Sequence, residues 1–149
     1  EHYGKLKARF NEIHSSVATT KLDSEHDKVT RGFHVLILSL LLRYSALSGG
    51  QLLQDLRGGG MQGAIHGQVF EALQSNIKGN WLEGFASPFN AHLPSFGSAF
   101  PDIDWHFGSV GNFLDYSFQH GSCCEANPPF SPGVMTEMAF HMQNQLQLA

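Results

Sequence analysis

Four consecutive residues, Asn127-Pro128-Pro129-Phe130, constrain this chain more than any other feature. Two adjacent prolines each hold φ near −65° and donate no backbone N–H, so the segment suits neither a helix interior nor a central strand. It is a stiff turn whose carbonyls are aimed by the rings. Its neighbours say what it connects. Ser122-Cys123-Cys124-Glu125-Ala126 is a short apolar strand candidate. Ser131 and Pro132 then offer an N-cap and a first helical residue, and Met135, Met138, Ala139 and Met142 recur at helical spacing. Strand, tight polar turn, helix is where open α/β sheets place their ligands. Taken alone, the tetrapeptide also fits an ordinary tight turn, because Asn and Pro dominate turns.

The rest of the chain predicts helices first and a sheet afterwards. Leu6, Phe10, Ile13 and Val17 share one face of a helix over residues 3–18. Residues 19–28 are polar and read as a loop. A second helix over 29–47 is apolar on most sides between Phe33 and Leu42, which predicts a central buried helix, and Gly49-Gly50 ends it. Gly58-Gly59-Gly60 lacks the lysine-serine pair of a P-loop and follows no strand, so it reads as a surface loop. A third helix over 66–77 turns Val69, Phe70, Leu73 and Ile77 inward. Residues 81–86 form the first strand, leading into Ser87-Pro88-Phe89-Asn90. Residues 91–111 show no helical period and predict a long irregular segment. Residues 112–114 predict a short strand that ends at Asp115.

Composition narrows the chemistry. The net charge is −4, which argues against a nonspecific nucleic-acid binder but not against a pocket for one nucleotide. Lys5, Lys7, Arg9, Lys21, Lys28 and Arg31 gather in the first third and read as a solvated helical face. Cys123 and Cys124 are adjacent, so on a strand they point to opposite faces and suit neither a shared metal nor a disulfide. They are expected to be reduced and buried. The 9 histidines are scattered, with no HExxH or Cys/His finger spacing, and no GxSxG elbow occurs. Asp102 reads as loop solvation, whereas Asp104 or Asp115 could hold a ligand hydroxyl. The most apolar run, from Val35 to Leu42, is too short to span a bilayer.

Several ordered blocks carry a resemblance. They are Leu41-Leu42-Arg43-Tyr44-Ser45-Ala46-Leu47, Val69-Phe70-Glu71-Ala72-Leu73, Phe85-Ala86-Ser87-Pro88-Phe89-Asn90 and Ser98-Ala99-Phe100-Pro101-Asp102. Phe107-Gly108-Ser109, Leu114-Asp115 and Glu125-Ala126-Asn127-Pro128-Pro129-Phe130 follow. Together, from Leu41 to Phe130, they resemble the phosphorylated RNA polymerase II tail-interacting factor family, the cap-specific adenosine N6-methyltransferases. The blocks leave residues before Leu36 and after Pro132 unmatched. Asn-Pro-Pro-aromatic itself resembles the adenine-facing loop of amino-methyltransferases that use S-adenosylmethionine.

The resemblance implies an α/β fold in which N-terminal helices, residues 1–78, pack on a class I, Rossmann-like methyltransferase sheet, residues 79–149. That sheet is expected to be partial and the chain a piece of something longer, because several more strands normally follow the motif strand. The implied enzyme is nuclear, takes S-adenosylmethionine as cofactor and capped mRNA as partner, and methylates N6 of the cap-adjacent adenosine. The Asn127 side-chain carbonyl and the Pro128 carbonyl would hold the amine, Pro129 would stiffen the turn, and Phe130 would stack on the base. Glu83, Ala86, Ser87, Pro88 and Asn90 would lie at the cofactor, with Asp115 as the ribose-binding acid. Many members also carry a WW domain for the phosphorylated polymerase tail. Trp81 and Trp105 lack a WW frame, so that contact is expected to lie outside this chain. Two other readings stay open: a catalytically inactive module that binds RNA or protein, and an amino-methyltransferase for DNA, small-molecule or protein amines.

Overall fold

The computed structural model describes residues 2–15, 23–47 and 65–148, without the side chains of 23–30 and 148. Three helices come first: α1 (His2–Ser15), α2 (Asp23–Leu47) and α3 (Gly67–Asn76). Then follow β1 (Asn80–Ala86), β2 (Phe96–Ser98), α4 (Pro101–Asp104), β3 (Ser109–Gly111), β4 (Ser122–Glu125) and α5 (Pro132–Leu148). Two 3-10 turns, Trp105–Phe107 and Phe113–Asp115, flank β3. The fold is mixed α/β. Its four strands run in the order β3-β2-β1-β4, and every neighbouring pair is parallel.

The centre of the sheet is set by small residues. A Cβ on Gly97 of β2 would sit 2.3 Å from the Gly84 carbonyl of β1, and one on Gly84 would strike the Phe113 ring at 2.7 Å. Only glycine lets the two backbones approach this closely, and the β1–β2 register shifts between Glu83 and Ala86. Beside it, β1 and β4 pair regularly from Asn80↔Ser122 to Glu83↔Glu125.

The larger core lies under the first two helices. Leu6 and Phe10 of α1 meet Phe33 and Leu40 of α2, and Ile103 and Phe107 close the cluster. Phe10 is the hub, with ring centroids 5.2 Å from Phe33 and 6.1 Å from Phe107. A second cluster of Ala86, Ala91 and Phe96 sits on the sheet.

Several expectations need correction. Helix α2 is not buried all round: Val35, Leu38 and Leu42 are 63%, 58% and 59% exposed, whereas Phe33 and Leu40 are buried and Leu36, Ile37 and Tyr44 are partly covered. Residues 23–28, read as loop, are helical. In α3, Val69 and Ile77 are exposed and Phe70 alone is buried. The segment 91–111 is not irregular throughout, since β2, α4 and β3 lie within it. Residues 112–114 are not a strand. Asn112 Oδ1 accepts the Leu114 amide at 3.0 Å and closes a 3-10 turn instead. Both cysteines are free, as expected, but half-buried. Residues 16–22, the Gly49-Gly50 stop and Gly58-Gly59-Gly60 lie outside the described residues. Among the described residues, no helix is long and apolar enough to cross a membrane.

Gly97→Ala is expected to lower stability by about 1–3 kcal/mol, through overpacking against backbone. Gly4→Ala on α1, where nothing lies within 4 Å, is expected to raise it by up to about 1 kcal/mol. Thermal melts of both variants check the pair, and equal melts would refute the close-approach account.

Candidate functional site

The strand order reverses direction between β1 and β4, and a crevice opens beyond the carboxyl ends of the strands there. It encloses about 230 Å³ and is lined from six parts of the chain. Ala86 and Ser87 follow β1, Ser98 and Ala99 end β2, and Asn112 to Leu114 follow β3. Pro129 comes from the motif loop, Val134 from α5, and Tyr44 and Leu47 from the last turns of α2.

The turn after β1 holds itself together. Asn90 Oδ1 accepts the Ser87 amide at 2.7 Å and the Ser87 hydroxyl at 2.8 Å, and the Ala91 amide donates to the Ser87 carbonyl at 2.9 Å. Pro88 is fully buried within it. The next residues are clasped from both sides. Glu83 is buried on β1, and its Oε2 accepts the amides of His92 at 2.7 Å and Leu93 at 3.0 Å. The carbonyls of the same stretch accept from Lys5, 2.8 Å to Ala91, and from Arg9, 3.0 Å to both Ala91 and Leu93. The Glu83 carboxylate therefore orders the connection from β1 to β2 and does not line the crevice.

The motif loop leaves β4 at the switch point. Pro128 is buried, Asn127 and Pro129 are half-buried, and Phe130 is 55% exposed. Ser131 accepts the Met135 amide at 3.0 Å and Pro132 opens α5, matching the expected helix start. Of the residues singled out from the sequence, the structure gathers Ala86, Ser87 and Pro129 around one cavity. Glu83, Pro88, Asn90, Asp115, Asn127, Pro128 and Phe130 do not line it. Asp115 is exposed at the end of its 3-10 turn.

Three acids divide the electrostatics. Asp102 is exposed and paired with Arg43 at 2.7 Å, and that hydrogen bond holds its carboxyl below the usual range. Asp104 is completely buried. Its Oδ2 accepts the Tyr44 hydroxyl at 2.6 Å and the Phe100 amide at 3.2 Å. Burial pushes this carboxyl up, while the Tyr44 hydrogen bond pulls against it. Burial and the Asp104 partner push the Tyr44 hydroxyl well above its ordinary value. Glu125 precedes the motif loop and lies in register with Glu83. Burial first, and the Glu83 charge second, push its carboxyl up to about 7.

Sequence reasoning missed Tyr44 and Leu47, because nothing local marks a helix end as a crevice wall. It also missed Gly84 and Gly97, which flank the Phe113 ring, and the Asn112 cap. Among the described residues, no group of 3 or more His, Cys, Asp or Glu could hold a metal.

A family model described as the phosphorylated CTD interacting factor 1 WW domain matches residues 5–149. The chain belongs to this family. The match extends the resemblance to residues on both sides of the Leu41–Phe130 stretch. Relatives of this chain include the human and mouse proteins named mRNA (2'-O-methyladenosine-N(6)-)-methyltransferase, 40% and 39% identical over 121 residues. Those alignments cover 81% of this chain and 16% of each relative's length. Although the phosphorylated CTD interacting factor 1 description includes the words WW domain, the described residues form a parallel sheet. Trp81 lies on its first strand and Trp105 on a 3-10 turn.

The raised Glu125 carboxyl makes stability depend on pH. The folded state binds the extra proton, so this group's contribution is whole below about 4.5 and is lost as pH rises through about 7. Glu125→Gln is expected to gain on the parent chain across that window. Unfolding midpoints taken between about pH 4.5 and 7.5 test this, and two parallel curves would sink it.

Proposed function

We propose that this chain forms the cofactor-binding and amine-holding half of an S-adenosylmethionine-dependent N6-methyltransferase acting on the cap-adjacent adenosine of mRNA. One observation carries the reading: Pro129 of the Asn-Pro-Pro-Phe loop lines the same switch-point crevice as Ala86 and Ser87 at the end of β1. The parallel order β3-β2-β1-β4 supports a class I, Rossmann-like sheet, whose doubly wound form begins 3-2-1-4. The relatives' printed names support the substrate.

The residues present suit the cofactor's nucleoside half. Gly84, Ala86, Ser87, Gly97 and Ala99 keep the crevice wall low, while Asn112, whose Oδ1 is taken by the Leu114 amide, offers its side-chain NH2 as a donor. Bound there, the cofactor supplies a methyl group activated on a sulfonium. Asn127 and the Pro128 carbonyl accept the N–H bonds of the target amine and hold its nitrogen toward that methyl. The stiff Pro-Pro turn fixes the two acceptors in advance, which converts binding into orientation. Phe130, exposed on the motif loop, gives the target base a face worth roughly 1–3 kcal/mol. No general base is required at Glu125, since the nitrogen loses its proton readily once alkylated. The protein is placed in the nucleus by this reading.

A second reading rests on the family description, which names an interaction domain rather than a catalytic one. In it, the chain docks RNA or the phosphorylated polymerase tail without performing transfer.

Methyl transfer from labelled S-adenosylmethionine to a short capped RNA beginning with adenosine separates the two. Label on N6 is expected, reduced about a hundredfold or more by Asn127→Ala. Phe130→Ala is expected to raise KM for the RNA far more than it lowers kcat. Absence of cofactor binding would overturn the methyltransferase reading, and RNA or phosphopeptide binding without transfer would favour the second.

A further inference from the structure

One wall of the crevice comes from outside the sheet. Tyr44 and Leu47, on the last turns of α2, line it beside Ala86 and Ser87. Tyr44 is fixed on several sides. Its ring lies edge-on to Phe89 at 5.8 Å and to Phe100 at 5.0 Å, and its hydroxyl is bound to buried Asp104 at 2.6 Å. The preceding residue, Arg43, is paired with Asp102 at 2.7 Å, so successive α2 residues are pinned to α4. With the hydroxyl taken by Asp104, Tyr44 offers the crevice only its ring.

The lining also indicates which part of a ligand belongs there. Among the described residues that line the cavity none is charged, so they give a zwitterionic amino-acid end no counter-charge. At about 230 Å³ it is smaller than the roughly 300–1,000 Å³ typical of sites for drug-sized ligands. A neutral, planar, nucleoside-sized group matches both facts.

We infer that Tyr44 packs against the adenine nucleoside of the cofactor, and that Asp104, acting through the Tyr44 hydroxyl, is the residue that positions it. This deepens the reading above and rests on it.

Calorimetric titration of the full chain with S-adenosylmethionine, adenosine and methionine tests it. Adenosine is expected to bind and to compete with S-adenosylmethionine, and methionine is not. Tyr44→Ala should weaken S-adenosylmethionine and adenosine by the same factor, about tenfold or more. Asp104→Ala should follow it, whereas Asp104→Asn, which keeps an acceptor for the hydroxyl, should restore binding. A merely structural role would lower the melting temperature and leave adenosine affinity unchanged in the folded fraction, which would overturn the inference. Should Tyr44→Ala not fold, Tyr44→Leu, which keeps apolar bulk but no aromatic face, carries the same test. Binding of S-adenosylmethionine that ignores these substitutions overturns this inference alone. No binding by the parent chain overturns the cofactor reading and this one with it.

Discussion

The connection from β1 to β2 buries Ser87, Pro88, Ala91 and Leu93. Its amides and carbonyls need partners, since an orphaned buried group costs about 1–3 kcal/mol. Glu83 supplies the acceptor for two amides, while Lys5 and Arg9 supply donors for the carbonyls. Every one of these bonds is charge-assisted, the stronger kind. They tie α1, β1 and the Ser87–Asn90 turn into one unit. The two core clusters then fill in on either side of a frame that polar contacts have already fixed.

That frame explains why the site combines rigid and open parts. The turn after β1 satisfies its own hydrogen bonds through Asn90, and the loop after β4 is stiffened by two rings. Neither needs a ligand to take its shape. Leu47 on the crevice wall and Phe130 of the motif loop, by contrast, remain exposed. A preformed floor with exposed apolar residues suits entry of a flat base from a single-stranded end, where little unstacking is required.

Local signals were legible in the sequence and tertiary ones were not. The two prolines, the Ser131-Pro132 helix start and the strands at Trp81 and Ser122 are encoded within a few residues of themselves, and the structure has them. Strands β2 and β3 are only three residues long, and β2 shows no alternation because Phe96, Gly97 and Ser98 are all buried. Asn112 looked like part of a strand, but its side chain caps a turn. The apolar run in α2 suggested burial on all sides, yet only the Phe33–Leu40 stripe meets α1 and the Phe107 turn. Tyr44 became a site residue only because Asp104, far along the chain, reaches back to its hydroxyl. Glu83 was legible as a polar group on β1, but the amides that occupy it lie in the following loop, where no spacing rule places them.

The strand order also has a kinetic side. Between β1 and its neighbour β4 the chain must first lay down β2, α4 and β3 on the opposite edge. Their parallel ladder is therefore a pairing of distant segments, which is slow to form because loop closure precedes any gain from contact. Pro129 cannot reach Ala86 until that ladder closes. The crevice thus depends on the pairing of two segments far apart in the chain, and its presence reports that the β1–β4 ladder is in place.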